Sequence, residues 1–241
     1  MDRKTDMEPS RAPDRAAPAS SGRRILAPTA RSSAYVVVGG VLLYVAIDVI
    51  LVFLRPQFSV LHSAESDYGS SGPWAWLMDL NFLLRCLLSL AVVRVATLVL
   101  ADSDKSSRLR RGLWLMVVWA IGSGLLAFFP DDPVGTPLTW HGGIHLVLAF
   151  LAFLAVFVGA VLLSPALGRL PPWRRVGLPL RVLSWGALAP LVLLGHAGFG
   201  AHSLGGLYEK TFLAIELVWF FLVALPVAFD TKALMMRNPD S

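Results

Sequence analysis

Charged residues are scarce in this chain. Only 15% of its 241 residues are Asp, Glu, Lys or Arg, whereas a soluble domain carries about 25%. Hydrophobic residues make up 56% and the mean hydropathy is +0.64, which is more apolar surface than a small globular core can bury. The surplus must face a lipid bilayer, so a soluble nucleic-acid binder is excluded despite the net charge of +5. The single cysteine, Cys86, excludes a disulfide scaffold.

Two further patterns are missing. The chain shows neither the period-2 alternation of a membrane β-barrel nor the G-x-S-x-G motif of a serine hydrolase. It contains instead six apolar stretches, each long enough to cross a hydrocarbon layer of about 30 Å as a helix. The sequence therefore predicts an all-α, polytopic membrane protein with six transmembrane helices. The predicted spans are 34–54, 74–101, 113–129, 141–163, 182–200 and 211–229.

Basic residues are distributed unevenly among the connections. Seventeen of the 21 Lys and Arg residues fall before residue 34, in the second and fourth connections, or after residue 229, while the alternate loops hold only Arg55 and Lys210. Because positively charged loops stay in the cytoplasm, both termini are predicted to be cytoplasmic and the protein to lie in the cytoplasmic membrane. Tryptophans are expected to mark both interfaces: Trp74, Trp76 and Trp140 outside, and Trp114, Trp173 and Trp185 inside.

Three segments follow from these boundaries. Residues 1–33, rich in Arg, Pro, Ala and Ser, are predicted to form a disordered cytoplasmic tail. Residues 34–229 form the six-helix transmembrane domain, and 230–241 a cytoplasmic C-terminal tail. The first span is expected to remain in the protein, because Leu54 is followed by Arg55 rather than by a small-residue cleavage site.

Several polar residues fall inside the predicted spans. A charged side chain near the bilayer centre is costly, so each is expected to have a partner or a role. We expect Arg85 to pair with Asp48, then Glu216, then Asp79 in order of preference. Such a group either fixes the packing of the helices or forms a polar pocket open to the outside. The predicted intramembrane polar cluster is Asp48, Asp79, Asn81, Arg85 and Glu216.

Prolines within the last two spans bear on this pocket. Pro190 and Pro226 are predicted to kink their helices, because proline removes a backbone hydrogen bond and clashes with the preceding turn. We expect such kinks to open space near the polar ends of the fifth and sixth spans.

All five histidines lie on the predicted outer side. His141 and His145 are four residues apart on one helix face, a spacing that lets two imidazoles bind one metal ion. Zinc is therefore a possible cofactor. The alternative is structural, with histidines at the interface and a capping turn at 131–133. Candidate third ligands are His196, His202, Asp131 and Asp132.

Short motifs along the chain resemble a known family. They are the outer loop His62-Ser-Ala-Glu-Ser-Asp-Tyr-Gly69, the helix that contains Asn81, Phe129-Pro-Asp-Asp132, His141-x-x-x-His145, and Gly206-x-Tyr-Glu-Lys210 at the start of the last span. Together they resemble the prokaryotic membrane family catalogued as domain of unknown function 998, over residues 35–230. The resemblance implies a six-helix bundle and supplies no activity.

Two functions are compatible with these features. The first is a non-catalytic membrane protein that binds a small ligand or lipid, transports it or senses it through an outward-facing polar pocket. The alternative is a membrane-embedded, metal-dependent hydrolase that acts near the outer leaflet. In that case His141 and His145 would hold the metal. Its candidate catalytic residues, as metal ligand or general base, are Glu65, Asp131 and Asp132.

The predicted topology can be tested by labelling single cysteines. In a Cys86→Ala background, Ser70→Cys is expected to react with an impermeant thiol reagent on intact cells, and Ser106→Cys only after lysis, because the charge bias places them on opposite sides. The reverse pattern would invert the orientation and move every histidine to the cytoplasmic side.

Overall fold

The computed structural model describes residues 28–100, 106–132, 135–199 and 202–229. Within these ranges all regular secondary structure is helical. The predicted tails at 1–33 and 230–241 lie outside the described residues, except for 28–33, which form the start of the first helix. The α-helices are α1 (Pro28–Leu54), α2 (Ala75–Leu100), α3 (Ser107–Leu126), α4 (Trp140–Leu167), α5 (Gly177–Gly186), α6 (Leu188–Ala197) and α7 (Gly205–Phe229).

Six helical segments are long and apolar enough to cross a membrane, with α5 and α6 together forming the fifth. The all-α prediction with six spans is therefore confirmed at this level. Five of the six spans begin before the apolar stretches that predicted them, whereas α2 lies within its predicted stretch. In particular, α7 begins at Gly205 rather than near residue 211. Its first turns contain polar residues that are buried against the protein, so hydropathy does not mark them as part of the span.

The fifth span is interrupted at Ala187, between α5 and α6. Pro190 cannot donate a backbone hydrogen bond, and its ring clashes with the carbonyl four residues earlier, at Gly186. The helix is interrupted at Ala187 alone, one turn before Pro190, where a kink is predicted, whereas α7 continues through Pro226. Beyond the break, α6 packs against α7 and makes hardly any contact with α4. A gap therefore remains between α4 and α6.

The other helices pack closely. α3 packs most extensively against α4, and α2 lies between α1 and α3. Gly122 allows the close approach of α3 to α4, since a Cβ atom placed there would lie 3.0 Å from the Cβ of Ala152. Small residues at such crossings let helix backbones approach in a membrane protein.

The predicted cytoplasmic end of the bundle is closed by buried hydrogen bonds. Trp219 Nε1 donates to the Ser164 hydroxyl at 2.9 Å, which lies 2.7 Å from the Ser184 hydroxyl. Trp173 Nε1 donates to the Val223 carbonyl at 2.8 Å. Trp173 was expected at the membrane interface, and that prediction is wrong: the ring is fully buried because its indole N–H finds an acceptor inside the bundle.

Candidate functional site

The segment between α1 and α2, residues 55–74, folds over the predicted outer end of the bundle. Arg55 holds it in place: its two Nη atoms donate to the carbonyls of Tyr68 and Ser71. The guanidinium carbon also lies 4.8 Å from the ring centroid of Phe58. Because the arginine is itself buried, these contacts make the loop part of the folded core.

The start of α7 fixes the other side of this loop. Gly206 is required there, since a Cβ atom would overlap with the backbone of Ser63. Lys210 Nζ donates to the Ser63 carbonyl at 2.7 Å, and His62 Nδ1 donates to the Ser203 carbonyl at 2.6 Å. The loop is thereby pressed into the bundle.

A buried ion pair forms where the loop enters the bundle. Glu65 Oε2 lies 3.3 Å from Arg85 Nη1, and the other carboxylate oxygen accepts the hydroxyl of Tyr44. Arg85 Nη1 also donates to the Tyr44 hydroxyl at 3.0 Å. The guanidinium carbon lies 5.0 Å and 5.1 Å from the ring centroids of Phe82 and Trp119. A loop residue therefore neutralises a charge that belongs to a membrane-spanning helix.

The predicted pairing of Arg85 with Asp48, Glu216 or Asp79 is wrong, because Glu65 occupies that position. Glu65, which is also a candidate catalytic residue in the sequence, is the salt-bridge partner of Arg85 in the structure. The sequence offers one signal for Tyr44: it precedes Asp48 by four residues, so that both lie on the face of α1 that meets α2.

The other members of the predicted cluster separate into two groups. Asp48 Oδ1 accepts from Asn81 Nδ2 at 2.6 Å, next to the ion pair. Glu216 is buried farther along α7, and neither of its carboxylate oxygens has a hydrogen-bond partner within the described ranges. Asp79 is half-buried near the start of α2. The structure thus brings Asp48, Asn81 and Arg85 together and leaves Glu216 and Asp79 outside the group.

A second polar group lies beside the ion pair. Ser66 Oγ donates to Asp131 Oδ2 at 2.6 Å, and His145 Nε2 lies 3.9 Å from the same oxygen. His145 Nδ1 donates to the Phe129 carbonyl at 2.7 Å, which determines the tautomer of the neutral ring. Ser66 thus bonds to the carboxylate and not to the imidazole, so the group contains no Ser–His hydrogen bond.

Asp132 has a structural contact. It accepts from the backbone N–H of Thr139 at 2.5 Å and from its hydroxyl at 3.0 Å. The Thr139 hydroxyl in turn accepts from Gly142 N at 3.1 Å, which caps α4. This matches the capping alternative for the Asp131–Asp132 turn and places Asp132 outside the polar group.

The candidate zinc ligands do not come together. The ring of His141 stacks on Trp140, while His196 and His202 are exposed. Across the parts of the chain that the structure describes, no three His, Cys, Asp or Glu residues form a group able to hold a metal ion. The predicted site is therefore not assembled there, because the histidines that share one end of the bundle face different directions.

Two cavities flank the Glu65–Arg85 pair. The α1/α7 cavity has a volume of about 310 Å³ and contains Asp48, Glu65 and Lys210 among apolar side chains. The α4/α6 cavity has a volume of about 240 Å³ and lies on the other side, in the gap that α6 leaves. The polar residues that line the α4/α6 cavity are Ser66, Arg85, Asp131, His145 and Glu209.

Glu209 lines this cavity although none of the sequence-based candidate sets includes it. It is buried in the second turn of α7, and its Oε2 accepts from the backbone N–H of Glu65 at 2.7 Å. In the sequence, the one signal for this role is that Glu209 lies one helical turn after Gly206, the glycine that contacts the loop. Glu209 links the loop to the α4/α6 cavity.

Asp67, in the 55–74 loop, has a carboxyl group whose pKa is raised. Its carboxylate accepts from Ala64 N at 2.9 Å. Burial, followed by the negative charge of Asp131, raises the pKa of the Asp67 carboxyl to about 6. Ionisation of this group therefore opposes folding of the loop as the pH rises.

Replacing Asp67 with Asn is expected to make stability less dependent on pH. The folded pKa of about 6 exceeds the ordinary value of 3.8, so the wild-type protein loses stability as the pH rises between these values, and Asn does not ionise. The thermal midpoint of Asp67→Asn should exceed that of the wild type above about pH 7 and match it near about pH 4. A difference that stays constant with pH would contradict this explanation.

The ion pair can be tested by double substitution. Glu65→Ala leaves a buried guanidinium unpaired, which costs about 3–5 kcal/mol, so the yield of monodisperse protein should fall sharply. Adding Arg85→Met should restore part of it, because no charge then remains unpaired. Arg85→Met should not rescue Glu216→Ala. Rescue of Glu216→Ala but not of Glu65→Ala would show that Glu216 is the true partner.

The comparisons with known proteins identify a family and do not identify an activity. Neither the search of curated proteins nor that of solved structures gave a match. A family model described as "Protein of unknown function (DUF998)" matches residues 37–226. This range covers the helical bundle, the 55–74 loop and every residue of the two cavities. The chain therefore belongs to the DUF998 family of proteins of unknown function.

Proposed function

We propose that this protein binds a lipid or another amphipathic small molecule in the α4/α6 cavity, without catalysing a reaction on it. The observation that carries the proposal is the lining of this cavity, which combines a few polar side chains with a largely apolar wall. Its polar side chains include Arg85 and Glu209, whereas the rest of its wall is aliphatic and aromatic. A largely apolar cavity with a few convergent polar groups is the usual form of a small-molecule site.

The gap between α4 and α6 supports entry of such a ligand from the bilayer. Leu146 and Phe150 of α4 line the cavity and are also exposed on the bundle surface. Opposite them, Leu191 and Gly195 belong to α6, which makes hardly any contact with α4. An acyl or alkyl chain could occupy this gap while its polar end reaches the ion pair.

The side of the membrane follows from charge. The excess of Lys and Arg in the other connections supports a position of the 55–74 loop, and with it the cavity, on the extracytoplasmic side of a cytoplasmic membrane. The protein would then bind, transport or sense a ligand taken from the outer leaflet.

Filling the cavity tests the proposal. Gly195 lines it, and an added Cβ there meets nothing within 4 Å, so Gly195→Trp should place an indole in the space without distorting α6. The probes are dodecyl compounds with neutral, cationic, anionic and zwitterionic head groups. They are added to detergent-solubilised full-length protein and counted by native mass spectrometry. We expect Gly195→Trp to weaken binding by about tenfold or more.

Val192→Trp is the matched control, because Val192 is exposed on the same helix and is not part of the cavity wall. It should bind the probes like the wild type. If no dodecyl probe binds, or if both tryptophan variants bind equally well, the cavity is not a ligand site.

A further inference from the structure

We infer that the ligand of the α4/α6 cavity has a zwitterionic head group, with its anionic group at Arg85 and its ammonium group at Glu209 and Asp131. This inference rests on the proposed binding of an amphipathic molecule in the same cavity. It assigns a chemical class to the ligand from the hydrogen-bonding groups that the protein leaves unused.

Arg85 supplies the unused donor. Its Nη1 contacts Glu65 and Tyr44, but its Nε is buried and has no hydrogen-bond partner among the described residues. The side chain is 2% exposed and lines the cavity. A buried N–H without an acceptor is costly, and a guanidinium edge matches the geometry of a carboxylate or phosphate. An anionic group in the cavity would satisfy it.

Glu209 and Asp131 supply the unused acceptors. Glu209 uses Oε2 for the backbone N–H of Glu65, and Asp131 uses Oδ2 for Ser66. In the described part of the chain, the second oxygen of each carboxylate accepts no hydrogen bond. Both residues line the α4/α6 cavity, where an ammonium group could donate to either.

The unused hydrogen-bonding groups of the cavity distinguish between anionic, cationic and zwitterionic head groups. Glu65 already neutralises Arg85, and the cavity holds two further acidic side chains, Glu209 and Asp131, each with an unused oxygen. A purely anionic head group would leave these oxygens without a hydrogen-bond donor. A purely cationic head group would leave the buried Nε of Arg85 without an acceptor. A head group that carries both charges satisfies both sides of the cavity.

The size of the cavity agrees with a head group rather than a whole lipid. Its volume of about 240 Å³ is slightly below the range of about 300–1,000 Å³ that drug-sized ligands occupy. A short zwitterionic head group and the first methylenes fit this space. The remaining chain would lie in the gap between α4 and α6, beside Phe150 and Leu154.

The experiment compares head groups on one chain length. Full-length protein in a glycoside detergent is titrated with dodecyl phosphoethanolamine, dodecyl phosphate and dodecylamine, and with phosphoethanolamine that has no chain. Dissociation constants are measured by native mass spectrometry. We expect the zwitterionic dodecyl probe to bind about tenfold more tightly than either the purely anionic or the purely cationic one, and the compound without a chain to bind far more weakly.

Glu209→Gln tests the ammonium contact. It should abolish the preference for dodecyl phosphoethanolamine over dodecyl phosphate, since the variant lacks the carboxylate charge. Glu216→Gln is the matched control: it changes a buried glutamate of the same helix that does not line the cavity, and it should keep the preference. The ratio of two affinities in one sample does not depend on the yield of folded protein. Asp131→Asn provides a second variant, in which the preference should decrease.

The outcomes separate the inference from the proposed function. If the purely anionic and purely cationic probes bind as tightly as the zwitterion, or if Glu209→Gln keeps the full preference, the head-group assignment is wrong and amphipath binding stands. If no dodecyl probe binds, or if phosphoethanolamine without a chain binds as tightly as its dodecyl ester, amphipath binding itself is wrong.

Discussion

A guanidinium group in a membrane-spanning helix must find acceptors and a negative charge within the protein, because lipid supplies neither. In this protein Arg85 meets that requirement through Glu65, a residue of a loop. The loop must therefore enter the bundle, and the contacts that hold it follow from this need. Arg55 fastens its two ends, and Gly206 lets it approach α7.

The same ion pair shapes the space around it. It stands between the α1/α7 cavity, which contains Glu65, and the α4/α6 cavity, which contains Arg85. Because Glu65 is used by Arg85 and Tyr44, the carboxylates of Glu209 and Asp131 remain as polar groups of the α4/α6 cavity. Because α6 makes hardly any contact with α4, the α4/α6 cavity lies between these two helices.

Sequence reasoning found part of this site. The predicted polar cluster included Asn81 and Arg85 of α2, and the structure brings Asn81 to Asp48 and Arg85 to Glu65. It failed for the buried partner, because the sequence places Glu65 in a loop and a loop has no periodicity from which burial can be predicted. It also failed for the histidines. Spacing placed His141 and His145 on one helix face, but the bundle packs His145 beside Asp131 and leaves His141 against Trp140.

The sequence by itself determined the class of the protein, the six spans and the break near Pro190. These depend on local quantities: the apolar length of a segment, and the backbone donor that proline lacks. The tertiary structure alone decided which acid pairs with Arg85, which cavity contains Glu209 and where the gap to the lipid lies. Those results depend on how helices rotate and how a loop packs against them. Both are set by contacts between residues far apart in the chain, which neither hydropathy nor helical periodicity specifies.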